Sequence, residues 1–274
     1  MPIWEAILCS DLEEDTPEQR AASLEKMRML WQVMQDSAAG YDGSQRSLSG
    51  LSGGDGEKYT QMMSSGKMMC GTYLNDAIAT ALKVSECNAC MKRIVAAPTA
   101  GSCGVIPAVL IPYRKEYPDT PEEEMLHALY VTGGFGNIIA ERASVSGAEA
   151  GCQAEIGAAS AMAAAALVYL RGGSPEACGN ACAMALKNLL GLVCDPVAGL
   201  VEVPCVKRNV VGVVNAISCA NMALAGIVSR IPPDEVIDAM AEVGSSMSAD
   251  LRETARGGLA ATPTGKRIAA ERAE

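Results

Sequence analysis

Four helix starts written in nearly the same code constrain this chain more than any other feature. "TPEQ" at 16–19, "TPEE" at 120–123 and "SPEA" at 174–177 each place a hydroxyl residue before proline and glutamate. The hydroxyl accepts from unpaired N–H groups of the first turn, proline suits the first helical position, and glutamate complements the positive dipole end. Gln19 and Glu123 sit where a capping box needs them, three residues after the hydroxyl. "PPDE" at 232–235 keeps the proline and the acids. Between these starts run Ala-, Met- and Leu-rich stretches such as "AEIGAASAMAAAALVYL" (154–170), which favour helix and let neighbours approach closely. Alternating β patterns are almost absent; the best, "VKRNVVGVV" (206–214), merges into a helix-like run. The expectation is an all-α, multi-helix fold of about eight to ten helices.

Glycine and serine break this pattern. "SQRSLSGLSGGDGEKY" reads as loop, so a Gly/Ser-rich loop is expected over 41–66, between a helical arm (1–40) and an all-helical main region (67–274). "PTAGSCG" (98–104) and "GGFG" (133–136) are further interruptions. The longest uncharged run, Asn209 to Ser229, is long enough to span a bilayer. It carries Asn215, Ser218 and Asn221 among Val, Ala and Gly, and reads as a buried core helix. The opening "MPIWEAILCSDLEED" has no basic start and turns acidic, unlike a secretory signal.

A net charge of −10 and 4% aromatic residues argue against a nucleic-acid partner. Eleven cysteines without an export signal point to a reducing, cytoplasmic setting, where thiols are core residues, metal ligands or catalysts. Cys9, Cys70, Cys103 and Cys219 read as core or loop thiols, and Cys178 and Cys182 as neighbours on one helix face. Cys87 and Cys90 form a lone CxxC, weak evidence for a metal. Cys152 and Cys205 stand at expected helix starts, after Gly151 and Pro204, where the dipole favours thiolate. Cys194 precedes "DP", which ends the helix before it. Separations of 42 and 11 residues do not fit a zinc ribbon; three structural thiols or a three-thiolate metal site both remain open.

The chain resembles the iron–sulfur-dependent L-serine dehydratases, specifically their α subunit. "RSLSGLSGGDGEK", "APTAGSCGVIPAVL", "SVSGAEAGCQAEIGAASAMAAA", "LKNLLGLVCDPVAGLVEVPCVKRN" and "RETARGGLA" carry the likeness over about residues 46 to 260. The resemblance implies an all-helical catalytic domain and a 4Fe–4S cluster held by Cys152, Cys194 and Cys205. It implies elimination of water from L-serine, giving pyruvate and ammonia; L-threonine or L-cysteine as substrate, a pyridoxal enzyme and a non-catalytic iron–sulfur protein are the alternatives. It also implies that the substrate is bound within these stretches. Backbone N–H groups of Thr99 to Gly104 and Ser52 to Gly54 offer an anion nest for the carboxylate. Thr99 and Ser102 add hydroxyls, Lys207 and Arg208 add charge, and Asp55 meets the ammonium. Ser49, Gly53, Gly54, Gly101, Ser146 and Gly147 complete the expected binding set.

The base is less clear from sequence. Lys58 is the candidate within a resembling stretch, while His127, the only histidine, lies in "MLHALYVTGG" outside all of them. In the family the histidine of an "SSSHT"-like loop belongs to an extra N-terminal domain or to a separate β subunit, and that motif is absent here. A β partner is therefore expected. Some relatives end in a cysteine able to occupy the free iron; no thiol follows Cys219.

Overall fold

Twelve α-helices run through residues 1–272, the part of the chain described by the computed structural model, and no strand forms among them. They are α1 (Ile3–Asp11), α2 (Pro17–Ala39), α3 (Asp55–Met63), α4 (Thr72–Ala89), α5 (Val105–Glu116) and α6 (Glu122–Arg142). Then follow α7 (Gly147–Ala150), α8 (Ala158–Leu170), α9 (Pro175–Lys187), α10 (Cys205–Leu224), α11 (Pro233–Ser246) and α12 (Pro263–Ala270). The all-α expectation holds. The count exceeds eight to ten because α3, α7 and α12 have only 9, 4 and 8 residues, below the length at which periodicity is readable.

Thr16 and Ser174 cap their helices, accepting from Gln19 N at 3.2 Å and Ala177 N at 3.1 Å. The capping boxes do not close. Gln19 Oε1 accepts instead from Glu14 N at 3.1 Å. At "TPEE" a turn from Tyr117 to Thr120 keeps the threonine outside the helix, and Pro121 takes the cap position. Glu122, Glu123 and Glu124 still complement the dipole there.

The Ala-rich stretch becomes α8, whose residues 158–168 are all buried. Small side chains let α6, α9 and α10 pack around it. Large apolar residues such as Leu126, Ile139, Leu186 and Met240 fill the spaces between, each stabilising by about 1.5–3 kcal/mol on full burial. Helices α1 and α2 pack on α6, and Trp31 and Met34 of α2 join the same core. Of the helical segments, Gln153–Leu170 is long and apolar enough for a bilayer, but 83% of it is buried inside the fold.

The candidate strand 206–214 is helical. Its buried residues, Val206, Asn209, Gly212, Val213 and then Ala216, recur at helical spacing. Asn215, in the uncharged run, donates to Ser160 Oγ and to Ala185 O, both at 2.9 Å, tying α10 to α8 and α9.

The loop expected over 41–66 ends early, because α3 begins at Asp55. The cause lies on α4. Glu86, 1% exposed, accepts from Asp55 N at 2.9 Å, Gly56 N at 3.1 Å and Tyr41 Oη at 2.6 Å. A carboxylate at a helix N-terminus satisfies unpaired N–H groups and the dipole together. The cap comes from 31 residues away, so no local signal marks it.

Candidate metal and substrate site

Three segments distant in sequence carry the thiols of this site, and the first two thiols meet. The first is the bend before α8. Gly151 holds φ at +75°, where a Cβ would strike Met247 Sδ at 2.7 Å and Leu192 O at 2.8 Å. Cys152 follows and heads a π-helical turn, Gln153–Gly157. Such wide turns are rare and frequent at functional sites. Gln153, 1% exposed, locks the bend. Its N donates to Leu192 O, its Oε1 accepts from Gly191 N and its Nε2 donates to Met240 O, all at 2.9 Å.

The second thiol departs from expectation. α9 ends at Lys187, and Cys194 lies beyond it in a single parallel bridge to Arg252. Its N–H donates to Leu251 O and its carbonyl accepts from Glu253 N, both at 2.8 Å. A tertiary bridge from "RETARGGLA", not a helix end, fixes this thiol. The third, Cys205, is the first residue of α10, with Pro204 at the cap. Asn209, one turn on and buried, donates to Cys205 O at 3.0 Å and Gly101 O at 2.8 Å, and accepts from Gly104 N at 2.9 Å. One amide thus pins the "TAGSCG" loop to the third thiol.

Between the first two thiols stands a residue that sequence reading missed. Cys152, Glu155 and Cys194 bring their ligand atoms within 4.8 Å of one another, the one such grouping among the described residues. Glu155 Oε2 lies 3.8 Å from Cys152 Sγ and 3.9 Å from Cys194 Sγ, while Thr99 Oγ1 donates to Oε1 at 2.7 Å. The i, i+3 spacing of "CQAE" was the available signal.

Burial opposes the expected preference for thiolate. It pushes the Cys205 thiol up to about 12, with the Cys152 and Glu155 charges adding to the rise. Cys194 is raised by its hydrogen bond with Cys152 and then by burial. At Cys205, the thiol that starts a helix, desolvation outweighs the dipole, and a bound cation reverses that balance. Burial also raises the Glu155 carboxyl, against the Thr99 hydrogen bond that lowers it. Burial works against the Arg208 charge, but the Cys152 and Asp195 charges prevail and raise its pKa. Two buried thiols and a carboxylate within reach of one another, with Cys205 and the Arg208 guanidinium nearby, suit a bound metal.

Arg208 pairs with Asp195 at 2.8 Å, and the two side chains are 14% and 4% exposed. Arg208 also donates to Val193 O at 2.8 Å, and Asp195 accepts from Leu259 N at 2.7 Å. This pair joins the Cys194 turn to α10 and to the C-terminal loop. Asp195→Ala is expected to cost about 3–5 kcal/mol by stranding a buried charge. Urea unfolding checks it, and an unchanged midpoint would show that the pair holds nothing together.

The structure divides the expected binding set. Thr99, Gly101 and Gly147 gather around Glu155. Ser146 precedes Gly147 at the cap of α7. Ser102, buried, closes the Thr99 turn with its own hydroxyl. The remainder form a second group. Ser49 donates to Glu202 at 2.8 Å, beside Ser47 at 2.6 Å, and latches "RSLSG" onto the turn before Cys205. Gly53 and Gly54 lie against Arg46. Asp55 pairs with Lys58, at 3.0 Å, and with Lys207. Lys58 is 73% exposed, so the desolvation a lysine base needs is missing. His127 stacks on Trp4 at 3.6 Å and faces Glu124 at 3.4 Å, so it serves the α1–α6 packing. The CxxC is not in the Cys152–Glu155–Cys194 grouping: Cys87 donates to Ser37 O at 3.4 Å, and Cys90 ends α4.

A family model described as serine dehydratase alpha chain matches residues 1–260. The probable L-serine dehydratase alpha chain of Bacillus subtilis is 54% identical over 222 residues, 81% of this chain and 74% of that one. The L-serine dehydratase alpha chain of Peptoniphilus asaccharolyticus is 50% identical over 204 residues, 74% of this chain and 70% of that one. L-serine dehydratase TdcG of Escherichia coli is 48% identical over 181 residues, 66% of this chain but 40% of that protein.

Proposed function

The chain belongs to the serine dehydratase alpha chain family, and from that premise we propose that it is the cluster-bearing subunit of an L-serine dehydratase. The observation that carries the reading is the convergence of Cys152, Cys194 and Glu155 in one buried site, with Cys205 beside them. Cys152, Cys194 and Cys205 would hold a 4Fe–4S cluster, which when bound supplies a Lewis acid for the departing hydroxide.

The chain's own residues do the rest of the positioning. Gln153, Asn209 and the Arg208–Asp195 pair fix the thiols. The Thr99–Gly104 loop and the Ser146–Gly147 bend border the substrate space, with the N–H groups of Ala100 and Gly101, which the loop's own bonds leave open, receiving the substrate carboxylate. Loss of the α-proton and of hydroxide gives aminoacrylate and water. Its tautomer, the imine, takes up water and releases pyruvate and ammonia, so no net oxidation occurs. The proton acceptor is assigned to a companion β chain. Eleven free thiols suit a reducing, cytoplasmic setting.

Pyruvate release from L-serine by the anaerobically purified chain together with its companion β chain tests the reading. An iron without a protein thiolate is the first exposed to oxidation. Activity is expected to decay in air and to return with ferrous iron and a thiol reductant. Stable turnover in air with a chelator present would remove the cluster from the mechanism.

A further inference from the structure

We propose that Glu155 receives the substrate's α-ammonium group and so selects amino acids over hydroxy acids at this site, an inference that rests on the dehydratase reading. No Lys or Arg side chain pairs with its carboxylate among the described residues; the Thr99 hydroxyl donates to it at 2.7 Å, and the Cys152 and Cys194 sulfurs lie 3.8 and 3.9 Å away. The nearby cations are committed elsewhere, Arg208 to Asp195 and Lys207 to Asp55. A partly buried carboxylate with no cation paired to it is a ready receptor for an arriving ammonium.

The backbone is shaped around this group. A Cβ at Gly147 would lie 2.6 Å from Glu155 Oε2, and one at Gly101 would lie 3.0 Å from Oε1. Both glycines lie in stretches expected to bind substrate, and their bareness leaves room for one carboxylate. The π-helical turn Gln153–Gly157 contains Glu155 and brings it to the same side as Cys152. Asp55, the acid first expected to meet the ammonium, is a poorer receptor. It already holds Lys58 and Lys207, so an ammonium there would displace two cations.

One charge-assisted hydrogen bond is at stake, so Glu155→Gln is expected to raise the KM for L-serine about 10- to 100-fold. The experiment uses the cluster-loaded chain with its companion chain, and L-glycerate, which lacks the ammonium, as competitive inhibitor. Its Ki is expected to move by less than about threefold, because that ligand makes no ionic contact to lose. Cluster absorbance is expected to match wild type in Glu155→Gln and in Glu155→Asp. An unchanged KM overturns the proposal, and so does a parallel rise in the glycerate Ki, which marks a general loss of shape. Loss of absorbance in both variants also overturns it, since Glu155 would then hold metal. If wild type releases no pyruvate from L-serine, the dehydratase reading falls and takes this proposal with it. Wild-type turnover with an unaltered variant KM removes the Glu155 role alone.

Discussion

Cys152→Ser, Cys194→Ser and Cys205→Ser are each expected to lose the visible absorbance of the cluster. L-serine turnover should fall with it by roughly a thousandfold or more, since the lost Lewis acid contributes several kcal/mol. The substitutions are nearly isosteric, so the frame should survive. Each thiol is anchored through its neighbours: Cys152 by Gln153, Cys194 by Leu251 and Glu253, Cys205 by Asn209. None of those bonds uses the sulfur. Cys87→Ser and Cys90→Ser are the controls and should leave both readouts intact, because Cys87 serves α2–α4 packing and Cys90 only ends α4. Absorbance that depends on the 87/90 pair and survives loss of the trio would refute the assignment.

The cluster-loaded chain alone is expected to turn over L-serine poorly, and added β chain should raise the rate by about 10²- to 10⁴-fold, the usual contribution of a positioned base. The two groups in this chain that sequence offered for the task are otherwise placed. Lys58 points to solvent and pairs with Asp55, and His127 is stacked under Trp4. The proposed docking face is the "RSLSG" loop. There Leu48 is 96% exposed, while its neighbours Ser47 and Ser49 are bound to buried Glu202. An exposed apolar side chain on a rigid loop suits an interface anchor. Steady-state rates over a titration of β chain, with Leu48→Ala compared to wild type, provide the measurement. Full rate from the pure, cluster-loaded chain would sink the idea and return attention to Lys58 and His127.

Local chemistry in the sequence determined the helical class, two of the three read hydroxyl caps and the bend that carries Cys152. These depend on residues within a turn of one another: Thr16 with Gln19, Ser174 with Ala177, Gly151 with Cys152. Tertiary structure alone decided how those pieces meet. Glu86 caps α3 across 31 residues and turns an expected loop into helix. Arg252 bridges Cys194 across 58 positions, so that thiol leaves its expected helix end. Glu202 takes Ser49 and Lys207 takes Asp55, two residues first expected at the substrate. Glu155 carried a local signal one turn from Cys152, yet its place in the site emerged only once Thr99, Gly101, Gly147 and Cys194 closed around it. A buried carboxylate must find donors wherever the fold supplies them. Donors that come from distant segments leave no periodicity to read in the chain.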